Sequence, residues 1–119
     1  MAIKKVLYTA LAPEAVGPYS QAIASNGIIY TSGQIPVNPA TGKVEATTIE
    51  EQTEQVMENL HIVLAQGGVA FDRVVKTTCF LADMNDFEAF NRVYAKYFPE
   101  NPPARSCVEV STLPTILLV

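Results

Sequence analysis

Val74-Val75-Lys76-Thr77-Thr78-Cys79-Phe80-Leu81 lies between two segments of helical periodicity, and its reading decides the fold. β-Branched and aromatic residues dominate it, as a pleated, packed surface favours. Val75, Thr77 and Cys79 alternate against Val74, Lys76, Thr78 and Phe80, so apolar side chains project to both faces. The stretch is therefore predicted to be a central strand. Upstream, Thr48-Ile49-Glu50-Glu51 has the Ser/Thr-x-x-Glu pattern, in which hydroxyl and carboxylate satisfy orphan N–H groups at a helix start. Ile49, Val56, Met57, Leu60, Val63 and Leu64 then recur at three- and four-residue steps until Gly67-Gly68. Downstream, Asn85-Asp86-Phe87-Glu88 repeats the cap logic, and Phe87, Phe90, Tyr94, Tyr97 and Phe98 trace a second helical stripe ending before Pro99. Pro102-Pro103 stiffens the way into a further strand over residues 105–110.

Working outward, residues 3–8 mix apolar side chains with lysines, as a half-exposed strand does, until Pro13 and Gly17-Pro18 interrupt. Two short apolar runs, residues 22–25 and 28–32, flank Asn26-Gly27, a pair that accepts the positive φ angles of a tight hairpin. Residues 33–47, with Pro36, Pro39 and Gly42, form a loop. At the other end Leu113-Pro114 turns toward a last apolar strand over residues 115–119. The class is α+β: a mixed sheet crossed on one face by two helices. The opposite face would keep apolar strand residues in water, so an oligomer that covers it is expected.

A chain of 119 residues is one domain, residues 1–119, and its 49% hydrophobic content is enough for a core. The net charge of −4 disfavours phosphate backbones and anionic lipid. No nucleic-acid partner and no membrane span are expected. Cys79 and Cys107 cannot make a disulfide framework and, with His61 distant in sequence, do not outline a metal cluster. A reducing, cytoplasmic setting follows. Met1 to Ala12 imitates a signal peptide, with two lysines, a short apolar run and an Ala-x-Ala ending, but a strand is the simpler reading.

The sequence holds no GxGxxG, Walker loop, HExxH or CxxC pattern, and His61 falls inside the first helix as a surface or packing residue. Arg105 opens an otherwise apolar strand behind a rigid approach, so its planar fork suits a carboxylate; the alternative is an ion pair with Glu109 or Glu100. Cys107 shares strand parity with Arg105, as a buried structural thiol or, with the arginine lowering its pKa, a nucleophile.

Gly17-Pro18-Tyr19-Ser20-Gln21-Ala22, Thr31-Ser32-Gly33-Gln34-Ile35-Pro36, Val75-Lys76-Thr77-Thr78 with Asn85-Asp86-Phe87, and Pro103-Ala104-Arg105-Ser106-Cys107-Val108-Glu109-Val110 together resemble the RidA/YjgF family of reactive imine deaminases, in order and over nearly the whole chain. The resemblance implies a chorismate-mutase-like homotrimer with ligand clefts between subunits. It implies hydrolysis of 2-imino acids and their enamine tautomers, such as 2-aminoacrylate and 2-iminobutanoate, to 2-oxo acids and ammonia, which protects pyridoxal-phosphate enzymes. Carried over by motif, Arg105 and Tyr19 are the catalytic candidates. Arg105 holds the substrate carboxylate, Ser32, Gly33 and Asn91 border the bound acid, and Cys107 contributes its main chain. No cofactor and no metal are implied. The family pattern places a glutamate in a hydrophobic-Glu-hydrophobic motif after Leu-Pro to activate water; here the expected final strand is short, and the sequence stops about one residue before that position. Glu14 is one stand-in, and Glu109 another if no bulge breaks its parity with Arg105. The alternative function is a non-catalytic module that binds 2-oxo or amino acids in the same cleft. A ribonuclease is disfavoured by the acidic charge and the single histidine.

Overall fold

The computed structural model describes residues 3–119, so Met1 and Ala2 of the signal-like stretch lie outside the described residues. The expected α+β class is what the chain adopts: β1 (Lys5–Leu7), β2 (Ala22–Ser25), β3 (Ile28–Thr31), α1 (Ile49–Gln66), β4 (Lys76–Leu81), α2 (Phe87–Tyr97) and β5 (Ala104–Glu109), with short 3-10 turns before β4 and α2. The strands divide between two sheets rather than the single one expected. β1, β2 and β3 form an antiparallel meander, while β4 and β5 pair in parallel. Parallel pairing requires a long crossover, and α2 supplies it. The expected strand over residues 115–119 is absent. In its place the segment is irregular: Leu117 is buried, the Leu118 carbonyl accepts from the Ala82 N–H at 3.0 Å, and the Leu118 N–H donates to Gln52 Oε1 at 2.8 Å. Its backbone polar groups are thus met by a side chain and a strand end instead of a ladder.

Local chemistry accounts for the element ends. Thr48 caps α1, its hydroxyl accepting from the Glu51 N–H at 3.2 Å and donating to the Glu51 carboxylate at 3.0 Å. Asn26 and Gly27 turn the β2–β3 hairpin with φ of 52° and 78°, the left-handed values that this pair tolerates. Gly67 ends α1 where that helix meets the meander. A Cβ there would run into the Ile29 Cδ1 methyl and sit 3.2 Å from Leu7 Cδ1.

Two apolar clusters result. Leu7, Ala12, Ala22 and Val63 join α1 to the meander. Ile49, Met57, Leu81, Phe90, Tyr94 and Phe98 join both helices to the parallel pair. The buried face of α1 is more polar than its apolar spacing implied, because Gln52, Thr53 and Asn59 are buried too. Each is satisfied: Asn59 donates to the Ile35 and Val37 carbonyls at 3.1 and 2.9 Å, pinning the long loop, and Gln52 donates to the Ala46 carbonyl at 3.0 Å. Away from the helices, Val6, Tyr30, Phe80 and Val108 stay exposed, Tyr30 at 60% and Phe80 at 47%. Among the described residues no helix is long and apolar enough to cross a membrane.

Candidate functional site

β5 runs in register with β4, Thr77 opposite Arg105 and Cys79 opposite Cys107, with no bulge through Leu81 opposite Glu109. Thr77, Cys79, Arg105 and Cys107 therefore share the half-buried face turned toward α2. The Arg105 guanidinium donates from Nη1 to Asn91 Oδ1 at 2.7 Å. It also lies 4.8, 5.4 and 6.0 Å from the ring centroids of Tyr94, Phe87 and Phe90, close enough for each ring face to attract the cation. Tyr94 is itself fixed by a 2.7 Å hydrogen bond between its hydroxyl and Thr77 Oγ1. Among the described residues the one ion pair joins Arg92 to Glu50, so no carboxylate neutralises Arg105. This decides against the ion-pair alternative. Beside the guanidinium opens a hollow of about 360 Å³ lined by Asn91, Tyr94, Ala95, Phe98, Pro102, Pro103 and Arg105.

Glu109 keeps the parity the sequence allowed, yet its Oε1 accepts from the Met84 N–H at 2.8 Å. Glu14 accepts from the Tyr8 hydroxyl. Burial pushes the Cys107 thiol up, and the Arg105 charge only partly opposes this. Burial likewise raises Cys79, with the neighbouring Cys107 adding to it. Both shifts disfavour the thiolate form, and with it the nucleophile reading of Cys107 in the hydrolysis.

A second group forms at the end of the meander. The Ser32 hydroxyl donates to the Ser20 carbonyl at 2.6 Å, and the Ser32 N–H donates to the Gln21 carbonyl at 2.9 Å. The two N-terminal motifs are thereby tied together. The Gln21 side chain is buried and braces the preceding loop, donating to the Thr9 and Pro13 carbonyls at 3.1 and 2.9 Å. Tyr19 stays half exposed, its hydroxyl accepting from the Val16 N–H at 3.4 Å, and Gly33 has open space where a side chain would stand. Arg105 and Cys107 on β5, with Asn91 on α2, thus stand at the parallel pair, while Tyr19, Ser32 and Gly33 flank the strands of the meander, and no hydrogen bond joins the two groups within the chain. His61, as expected, is a surface residue, stacked on Phe71 at 6.0 Å.

Sequence reasoning treated Phe87, Phe90 and Tyr94 only as a core stripe, and their part in holding Arg105 was missed. The available signal was the four-residue spacing of Phe87, Asn91 and Ala95, which puts an amide on the same helical face as a ring.

The family model described as Endoribonuclease L-PSP matches residues 9–119. The chain belongs to the RidA/YjgF family. It is 48% identical over 111 residues to the chloroplastic Reactive Intermediate Deaminase A of Arabidopsis thaliana, covering 93% of this chain and 59% of that one. Among solved structures of the family, the Rid protein YyfA from Yersinia pestis superimposes with a TM-score of 0.94 at 51% identity, over 98% of this chain and 93% of that one. TdcF of E. coli, solved with bound serine, matches with a TM-score of 0.91 at 36% identity, over 96% and 91% of the two chains. The RidA/YjgF fold is therefore present here with both helices and both sheets.

Proposed function

We propose that the chain hydrolyses reactive 2-imino acids and their enamine tautomers to 2-oxo acids and ammonia. The observation that carries this reading is Arg105, a guanidinium braced by Asn91 and three aromatic rings and left without a carboxylate partner among the described residues. Its remaining N–H groups present a rigid fork for a 2-imino carboxylate. Holding that carboxylate fixes the C=N carbon for attack by water, and much of the rate advantage comes from such positioning. Water adds to carbon, a proton passes to nitrogen, and collapse of the tetrahedral adduct releases ammonia and leaves the ketone. Tyr19 serves as the proton relay, Ser32 and Gly33 border the acid, and the Cys107 main chain completes the contact.

These groups meet only if a second copy brings its meander end to the Arg105 face, so the site lies between subunits of a homotrimer. The exposed Val6, Tyr30, Phe80 and Val108 supply an apolar surface for that assembly. Sedimentation is expected to give a trimer for the native protein and a monomer for Tyr30→Asp; a monomeric native protein would remove the inter-subunit site.

The activity is tested by coupling threonine dehydratase to the protein and following 2-oxobutanoate while semicarbazide competes for free imine. Faster oxo-acid formation with less trapped imine is expected; no acceleration overturns the deaminase reading. A second reading, a non-catalytic binder, is favoured by the serine in the related E. coli structure. It predicts a serine-induced rise in melting temperature without turnover.

A further inference from the structure

Cys79 and Cys107 are the chain's only thiols, and the proposed hydrolysis uses neither sulfur. They sit directly opposite one another on β4 and β5, Cα partner to Cα partner. Opposed residues of neighbouring strands project to the same face. Both are half-buried and free. Neighbouring strands lie about 4.7–4.9 Å apart, inside the roughly 4.4–6.8 Å Cα separation that disulfides span. Register alone therefore places the pair within bonding reach. A disulfide most often holds its Cα atoms about 5.5–6 Å apart, somewhat wider than neighbouring strands stand, so closing the bond shifts β5 against β4 at Cys107. Arg105 lies two residues away on the same face.

We propose that Cys79 and Cys107 form a redox-sensitive dithiol, closed to an intrachain disulfide by a hydroperoxide, and that closure displaces Arg105 and weakens its hold on a carboxylate. The second part rests on the reading of Arg105 as the carboxylate clamp. Both thiols are mainly protonated, and the attack runs through the small thiolate fraction of Cys107, which the Arg105 charge favours more than it does that of Cys79. Its sulfur bonds to the terminal peroxide oxygen, the O–O bond breaks, and the departing oxygen takes up the thiol proton, leaving a sulfenic acid and an alcohol or water. The Cys79 sulfur then attacks the sulfenic sulfur, the S–S bond forms, the S–O bond breaks, and water departs with the second thiol proton. The two sulfurs together give up the two electrons that the peroxide accepts.

The test treats the purified protein with hydrogen peroxide, blocks remaining thiols with N-ethylmaleimide, and reads intact mass and linked peptides. A monomer mass lower by two hydrogens, no alkylation, a peptide joining Cys79 to Cys107 and reversal by dithiothreitol are expected. Oxygen adducts on single cysteines, bonds between chains, or two thiols still open to alkylation would overturn the dithiol. Cys79→Ser is expected to lose the linked peptide and to accumulate oxidised or inter-chain forms of Cys107. Calorimetry with 2-oxobutanoate reads the second part independently of turnover: oxidised protein is expected to bind about tenfold or more weakly, as an ångström-scale misplacement of a positioning group does, and to recover on reduction. Unchanged affinity in the disulfide form overturns the coupling. Failure of the deaminase reading shows separately, as absent turnover in the reduced protein.

Discussion

Arg105→Ala is expected to lower kcat/KM on 2-iminobutanoate by about 10²–10³-fold, the usual cost of removing a preorganised charged donor from a reacting centre. The loss should be this large because the cation has no other carboxylate to hold and because its orientation is already set by Asn91 at 2.7 Å and by Tyr94, Phe87 and Phe90. Arg105→Lys tests the fork separately from the charge. Lysine keeps the positive charge but offers a point donor, so it is expected to recover only a minor part of the rate. The assembly should survive both changes, since the exposed apolar side chains assigned to it, Val6, Tyr30, Phe80 and Val108, are untouched. Measured kcat/KM with sedimentation on the same samples checks this, and wild-type turnover by Arg105→Ala with an intact trimer would remove Arg105 from the mechanism.

Leu81→Ala is expected to be the most damaging single truncation in the core, costing about 2–5 kcal/mol by lost transfer energy and the cavity left behind. Leu81 is 0% exposed and closes β4. It packs in one cluster with Ile49 and Met57 of α1, Phe90 and Tyr94 of α2, and Phe98 just beyond it, so contraction from one side cannot fill the space it vacates. Val75 provides the control. It is 80% exposed just before β4, and Val75→Ala should stay within about 0.5 kcal/mol of the native protein. Urea denaturation measures both. A Leu81→Ala midpoint close to the control would show that the two helices close over the site more readily than native packing densities allow.

Local chemistry made much of the architecture legible. The Asn26-Gly27 turn, the Thr48 cap with Glu51 and the glycine stop at Gly67 are interactions between neighbours in sequence, so the elements they delimit stand where their residues predicted. Strand ends were less legible: Val74 and Val75, β-branched and apolar, precede β4 rather than belong to it. The last apolar run reads as a strand by composition, yet its carbonyl and amide at Leu118 are taken by Ala82 and Gln52. A strand exists only where a partner edge meets it, and composition carries no information about partners.

The site divides along the same line. The sequence by itself determined that Arg105 would stand on a strand behind a rigid approach with Cys107 on its face, because alternation along an extended chain is a property of the backbone. It determined likewise that the N-terminal motifs flank a hairpin, which brings Ser32 to the Ser20 carbonyl. Only the tertiary structure decided that Asn91 and three rings hold the guanidinium, that Glu109 turns its carboxylate to the Met84 N–H, and that Cys79 stands opposite Cys107. These depend on how α2 crosses the parallel pair and on which residue faces which across two strands. Such registers are set by the packing of Leu81, Phe90 and Tyr94 in a shared core, a sum over contacts distant in sequence that no local pattern encodes.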